Sequence, residues 1–136
     1  MKIAGYSLID KLAWIEIQNN TVLSTRSKNK HVYYFPGGKR ELGESDVQAL
    51  IREIREELSI DLQEESLAYI GTFEAQADGH QSGIIVRMTC YSGTYTGELK
   101  PASEIEELTW LSYSDKNKTS EVDQLIFNWL KSNDKL

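Results

Sequence analysis

The chain has 136 residues, is 40% hydrophobic and carries a net charge of −6, which is enough apolar material for one core and too little length for two. The acidic balance, with no basic stripe, argues against a nucleic-acid polymer as partner. No apolar run approaches the ~18 residues of a membrane span, nothing near Met1 reads as a signal peptide, and the lone Cys90 cannot form an internal disulfide. These features lead to the expectation of a single cytoplasmic domain over residues 1–136, with a small molecule as partner and no membrane.

In chain order, residues 12–18 and 21–25 read as strands around an Asn19-Asn20 turn, the asparagine pair being suited to a tight hairpin. Tyr33, Tyr34 and Phe35 extend toward Pro36, which forces an extended backbone at Phe35. Gly37 and Gly38 then let the main chain approach a metal or phosphate closely. Further on, residues 67–75 and 83–91 alternate as a strand pair with a polar loop over 76–82 between them, and residues 108–111 suggest another short strand. Ser120 is placed to cap a helix over 121–130, where Val122, Leu125, Ile126, Trp129 and Leu130 recur in steps of three and four. Strands accompanied by two helices imply an α/β sandwich. Cys90 sits in an apolar stretch and reads as a core residue; His31 and His80 show no local ligand spacing.

The most informative segment is residues 37–60, GGKRELGESDVQALIREIREELSI. Ser45 and Gln48 form an S-x-x-Q capping box, so a helix begins at Asp46. Val47, Leu50, Ile51, Ile54 and Leu58 make its buried stripe. At about 100° per residue, Glu53 and Glu57 lie one turn apart with Glu56 beside them, on a flank at the edge of the core. Arg52 can reach back toward Glu44 at the helix entrance, and Arg52 and Arg55 cannot both neutralise the acidic flank, so negative charge remains in surplus. Three carboxylates together suit a hard cation, and Mg²⁺ shares such oxygens with substrate phosphates. The implied chemistry is phosphoanhydride hydrolysis.

Gly38, Glu44, Arg52, Glu53, Glu56 and Glu57 stand at the spacing G-x5-E-x7-R-E-x-x-E-E, followed by the apolar Ile60. This pattern resembles the Nudix box. Six fixed positions, each filled by chance at roughly 5–7%, give an expectation on the order of 10⁻⁷ per starting point, so accident is a poor explanation. One position departs from the family pattern: Ser59 stands where glycine would allow a left-handed helix exit without steric cost.

The resemblance implies a Nudix-type α/β/α sandwich with a mixed β-sheet between helices, and a Mg²⁺ cofactor for which Mn²⁺ can substitute. It implies Gly37 as a carbonyl ligand, Glu53, Glu56 and Glu57 as side-chain ligands, and Glu44 with Arg52 as an orienting pair. The reaction would be in-line attack of a metal-activated water on phosphorus, with Glu53 the choice for general base. An acid outside the box should complete the site. MutT-like members place a metal-binding glutamate about six residues ahead of a tryptophan, which matches Glu104 before Trp110, with Glu98 the next candidate. Glu106 and Glu107 read as surface charges.

For substrate contacts, Arg26, Lys39 and Arg40 are candidate phosphate ligands, Phe35 could pack against a base, and Asp123 could hydrogen-bond the base edge or simply complement its helix N-terminus. The proline common in ADP-ribose-cleaving members is replaced by Ala75, and Gln76, Ala77 and Asp78 stand where dinucleotide-cleaving members tend to have tyrosine. The remaining resemblance is to MutT-like pyrophosphohydrolases, which convert a nucleoside triphosphate or oxidised nucleotide to the monophosphate and pyrophosphate. The alternatives are a non-catalytic nucleotide-binding module on the same fold, or a pyrophosphatase for ADP-ribose-like or dinucleotide substrates.

Overall fold

The computed structural model describes residues 2–3 and 6–136, with side-chain surroundings described from residue 7 onward. Its strands are β1 Lys2–Ile3, β2 Tyr6–Trp14, β3 Ile17–Gln18, β4 Thr21–Ser27, β5 Gly37–Lys39, β6 Asp61–Leu62, β7 Ala68–Gln76, β8 Ile84–Ser92, β9 Tyr95–Thr96 and β10 Ile105–Leu111. Helix α1 is Asp46–Leu58 and helix α2 is Glu121–Ser132, and short 3₁₀ turns occupy Glu64–Ser66 and Tyr113–Lys118.

Strand β2 is the axis of the fold. It pairs in parallel with β8, which pairs antiparallel with β7, while β1 and β5 pair antiparallel with the other edge of β2. The sheet is therefore mixed. A second, antiparallel sheet runs β10-β4-β3, and β6 pairs with β9.

Alternation along β2 sorts the core into two layers, because successive side chains of a strand point to opposite faces. Leu12 and Trp14 pack with Leu23 and with Ala49, Leu50, Ile54 and Leu58 of α1. Ala13 and Ile15 pack with Val22, Phe35 and Cys90 and with Val122, Ile126, Phe127 and Leu130 of α2. The two helices thus cover opposite faces of the strands, giving the expected α/β/α sandwich. Each fully buried Leu or Ile contributes about 1.5–3 kcal/mol, and both helices bury such stripes, so neither face is dispensable.

Several boundaries differ from the sequence reading. The strand expected over residues 12–18 is divided: β2 starts at Tyr6 and ends at Trp14, with a break before Ile17 of β3; register with β8 extends it, since β2 and β8 pair continuously from Ser7↔Ile84 to Trp14↔Tyr91. Likewise β10 begins at Ile105, three residues early, because its ladder with β4 reaches Ser27. Asn19 and Asn20 take φ of 50° and 61°, as an asparagine hairpin turn requires. Ser59 does leave α1 in the left-handed conformation, at φ 63° and ψ 27°, its N–H bonded to the Arg55 carbonyl at 3.1 Å. Serine carries there the steric cost that glycine would avoid.

Candidate active site

The capping box forms as read: Ser45 Oγ accepts from Gln48 N–H at 3.2 Å, and Gln48 Oε1 accepts from Ser45 N–H at 2.9 Å. It fixes the start of α1, and hence which way the glutamates of the following turns point. Ahead of it, β5 brings Gly37 and Gly38 beneath the helix. Gly37 has φ +147°, and a Cβ there would stand 2.9 Å from the Leu12 carbonyl carbon and closer still to its oxygen. Its N–H donates to Glu57 Oε1 at 2.9 Å. A Cβ on Gly38 would stand 2.5 Å from Glu53 Cδ, so the Glu53 carboxylate occupies the space that glycine leaves open.

Arg52 ties the loop to the helix. Its guanidinium donates to Glu44 through Nε at 2.7 Å and Nη2 at 2.9 Å, the bidentate geometry that makes such pairs strong. It also donates to Glu53 Oε1 at 2.9 Å, Glu56 Oε1 at 3.3 Å and the Lys39 carbonyl at 3.1 Å. The Glu44–Arg52 pairing is as expected, but Arg52 neutralises more of the acidic flank than its position on the wheel suggested, because a long guanidinium reaches around the helix. Arg55 does turn away, to Asp61 at 2.7 Å. Arg52, followed by the Glu41 N–H, holds the Glu44 carboxyl down to about 2.

A cavity of about 390 Å³ opens beside this loop, lined by Gly37, Gly38, Lys39, Glu53, Glu57, Glu104, Phe35 and Lys11 among others, a size that suits a small ligand. Burial pushes the Glu57 carboxyl up to about 8, against the Gly37 N–H that opposes it, and the charges of Glu53 and Glu104 push the same way. Burial also raises Glu53, partly offset by Arg52 and reinforced by Glu56 and Glu104. Glu104 lines the cavity from the turn ahead of β10, where its carbonyl accepts from Lys28 N–H at 2.8 Å.

The other downstream acids go elsewhere. Glu98 lies on the surface 3.7 Å from Lys100, and Glu106 and Glu107 bind Arg26 at 2.9 and 3.2 Å. Glu56 is exposed and lies outside the lining of the cavity, unlike its two neighbours in the box.

Two proposed phosphate contacts need correction. Thr25 and Ser27 line the cavity, so Arg26 between them points to the opposite face of β4; its guanidinium is committed to Glu106, Glu107 and the Lys30 carbonyl. Arg40 is likewise committed to Asp10 at 3.1 Å and Asp46 at 2.6 Å, stapling the loop to β2 and α1. Lys39 remains, exposed at the cavity edge.

Phe35 is buried, its ring stacked on Phe127 with centroids 5.3 Å apart, and one side of it faces the cavity. Its N–H donates to Asp123 Oδ2 at 2.8 Å. Asp123 is therefore used across the fold and not merely as an acid at its own helix start. It is wholly buried, its Oδ1 has no hydrogen-bond partner, and burial pushes its carboxyl up to about 7.

A second cavity of about 160 Å³ adjoins the first, with Lys11, Lys30, Tyr34 and Met88 common to both. Ile9, Val86 and Val122 give it apolar walls, and Gln76, Asp78 and His80 a polar rim. Tyr34 donates to Asp78 Oδ2 at 3.2 Å across its mouth. Lys11 and Tyr34 are cavity residues that the sequence reading passed over. Lys11 had a signal: in the alternation Ile9, Lys11, Ala13 it is a charge at a core-facing position.

Among the described residues, no three Asp, Glu, His or Cys side chains stand ready in metal-holding geometry; Glu53 and Glu56 lean to Arg52, and Glu57 to Gly37 N–H. The donor set nevertheless fits a hard divalent ion. Every donor is an oxygen, Glu53 sits in the cradle of Gly38, and Glu53, Glu57 and Glu104 repel one another across one cavity.

Fold, loop and acid-lined cavity together define a hydrolase of the Nudix class. The NUDIX domain family matches residues 12–130, and the chain belongs to that family: it is a Nudix hydrolase, an enzyme acting on nucleotide-derived substrates. It is 30% identical over 111 residues to the Nudix hydrolase YvcI of Bacillus subtilis, covering 76% of this chain and 70% of that protein. It is 35% identical over 104 residues to the CTP pyrophosphohydrolase of Escherichia coli, covering 74% and 72%. Among solved structures it is similar to the E. coli ORF135 protein, with TM-score 0.74, 24% identity and coverage of 97% and 94%. The MutT NUDIX hydrolase of Burkholderia pseudomallei is similar in fold, with TM-score 0.76, 19% identity and coverage of 90% and 97%.

Proposed function

We propose that residues 1–136 act as one cytoplasmic domain that hydrolyses a nucleoside triphosphate, or its oxidised form, to the monophosphate and pyrophosphate, with Mg²⁺ as cofactor and Mn²⁺ as substitute. The observation that carries this reading is the pairing of two cavities: an acid-lined one at the Gly37-Gly38 loop, and an adjoining smaller one with apolar walls. Similarity to a CTP pyrophosphohydrolase supports a triphosphate substrate and puts CTP first among those to try.

Glu53, Glu57, Glu104 and the Gly37 carbonyl would hold the ion from the cavity, with Glu56 joining them from the exposed side of α1. When bound, Mg²⁺ supplies positive charge against the phosphates and makes a water more acidic. Glu53, seated in the space that Gly38 leaves open, takes the proton of the water that attacks phosphorus as the pyrophosphate oxygen leaves on the opposite side. Arg52, fixed by Glu44, holds Glu53 in line, and this pair is where orientation enters the rate. Lys39 meets phosphate oxygens at the cavity edge. Phe35 offers its ring to the nucleoside from the acid-lined cavity, and Asp123, wholly buried and lining neither cavity, holds the Phe35 N–H in place.

A panel of nucleoside triphosphates, oxidised nucleotides, ADP-ribose and dinucleotides, each with and without Mg²⁺ and with products identified by mass, tests this. Monophosphate and pyrophosphate appearing only with the metal is the expected result. Preferred cleavage of ADP-ribose or a dinucleotide would replace the substrate assignment, and nucleotide binding without any turnover would make the protein a binding module.

A further inference from the structure

Lys11 is a lysine on the central strand at a position whose neighbours of like parity, Ile9 and Ala13, pack in the α2 core layer. Its backbone is paired on both sides, to Met88 of β8 and Lys39 of β5, so its Cβ direction is fixed by three strands. The ammonium lies 5.7 Å from the centroid of the Tyr34 ring, a stabilising cation–π arrangement. Among the described residues it has no carboxylate within ion-pair distance, whereas Arg26, Arg40, Arg52, Arg55 and Arg87 are each engaged. Its charge still reaches both Glu57 and Asp123, opposing the burial that raises each carboxyl. Lys11 therefore stands between the acid cluster and the Asp123 end, and it lines both cavities. Lys30 lines both as well, but it is exposed and follows the turn after β4, so its ammonium is not held by a sheet.

A nucleotide with its base in the smaller cavity and its scissile anhydride at the acid cluster must pass its nucleoside-linked phosphate through the junction. We propose that Lys11 is a substrate-positioning residue that binds the phosphate attached to the nucleoside, fixing which phosphorus lies before the carboxylates. This rests on the pyrophosphohydrolase reading for its substrate class. A half-desolvated, preoriented ammonium gives a charge-assisted hydrogen bond whose removal costs about ten- to a hundredfold in affinity.

The test is a titration in EDTA, so that no metal contributes. The four ribonucleoside monophosphates, their parent nucleosides and inorganic pyrophosphate are titrated calorimetrically into wild type, Lys11→Met and Lys11→Arg, with thermal melts alongside. The expected result is that Lys11→Met weakens the tightest-binding monophosphate about ten- to a hundredfold while nucleoside and pyrophosphate affinities stay within about threefold, and that Lys11→Arg retains most of the monophosphate affinity. Equal loss for nucleoside and monophosphate, an unchanged monophosphate affinity, or no monophosphate binding to wild type each overturns the assignment. Should Lys11→Met not fold, Lys11→Gln carries the same comparison. No turnover enters these measurements, so a wild type inert toward every triphosphate would refute the proposed activity while the binding comparison still decides Lys11.

Discussion

Substituting alanine at each of the two loop glycines should separate catalysis from folding. At Gly38 the added Cβ would stand 2.5 Å from Glu53 Cδ, where carbon atoms in contact prefer about 3.5–4.0 Å. Glu53 must therefore retreat by about 1 Å, and it can, because the obstacle is the end of a side chain. A misplacement of that size costs about a hundredfold in rate, whereas the packing penalty should stay near the low end of the roughly 1–3 kcal/mol seen for overpacked sites. At Gly37 the obstacle is the Leu12 carbonyl group in the central strand, and φ is +147°. Backbone strain of roughly 1–3 kcal/mol then adds to a clash that only movement of β2 relieves. Gly38→Ala should thus keep its urea midpoint within a modest shift and lose about a hundredfold in kcat at saturating Mg²⁺, while Gly37→Ala should be destabilised by more than about 3 kcal/mol. Full kcat in Gly38→Ala, or a wild-type unfolding curve for Gly37→Ala, would refute the reasoning.

Glu53→Gln should reduce turnover by about 10²- to 10⁴-fold, the range for a lost general base; near-normal kcat at saturating Mg²⁺ would remove Glu53 from that role. Asp123 gives a pH signature in the metal-free protein. Its carboxyl rises from the ordinary 3.8 to about 7 on folding, so the folded state holds that proton more tightly. Stability from this group is then complete below about pH 4 and is lost as pH rises through about 7. At 1.36 kcal/mol per pH unit the loss is at most about 4 kcal/mol, and Asp123→Asn should gain on wild type between pH 4.5 and 8 in urea titrations; a constant difference would count against it. Ser59→Gly relieves a left-handed serine and should stabilise by about 0.5–1 kcal/mol, read as a melting temperature a few degrees higher with kcat unchanged. A lower melting temperature would mean that the Ser59 conformation carries no strain.

What the sequence made legible was local. The capping box, the Asn19-Asn20 turn and the Glu44–Arg52 pair involve residues within about two helical turns of one another, and spacing alone fixes their relation; of the α1 stripe Leu50, Ile54 and Leu58 are buried as expected, whereas Val47 and Ile51 are half-buried and Ala49 and Glu57 turn to the core with them. Glu104 was found from its offset to Trp110, and it does line the cavity. Proximity in sequence to the loop says nothing about strand parity: one residue either way along β4 decides whether a side chain meets the cavity, as Thr25 and Ser27 do, or Glu107, as Arg26 does, and Arg40 is drawn off by Asp10, thirty residues away. Lys11 was passed over for the same reason, since the parallel pairing of β2 with β8 makes its position central and joins segments more than seventy residues apart. The Asp123 bond to Phe35 N–H spans 88 residues; no periodicity encodes such a contact.

Most polar ties of the catalytic loop are made within residues 37–57: Gly37 to Glu57, Arg40 to Asp46, and Arg52 to Lys39, Glu44 and Glu53. Apart from Glu104, the walls that would meet a substrate come largely from outside it, from Lys11, Thr25, Ser27, Lys30 and Met88. The chain is thus divided into a self-stitched cassette and a changeable frame. Mutations in the frame can retune what is admitted without loosening the stitches, so selectivity can drift across generations while the capacity to break the bond is inherited intact.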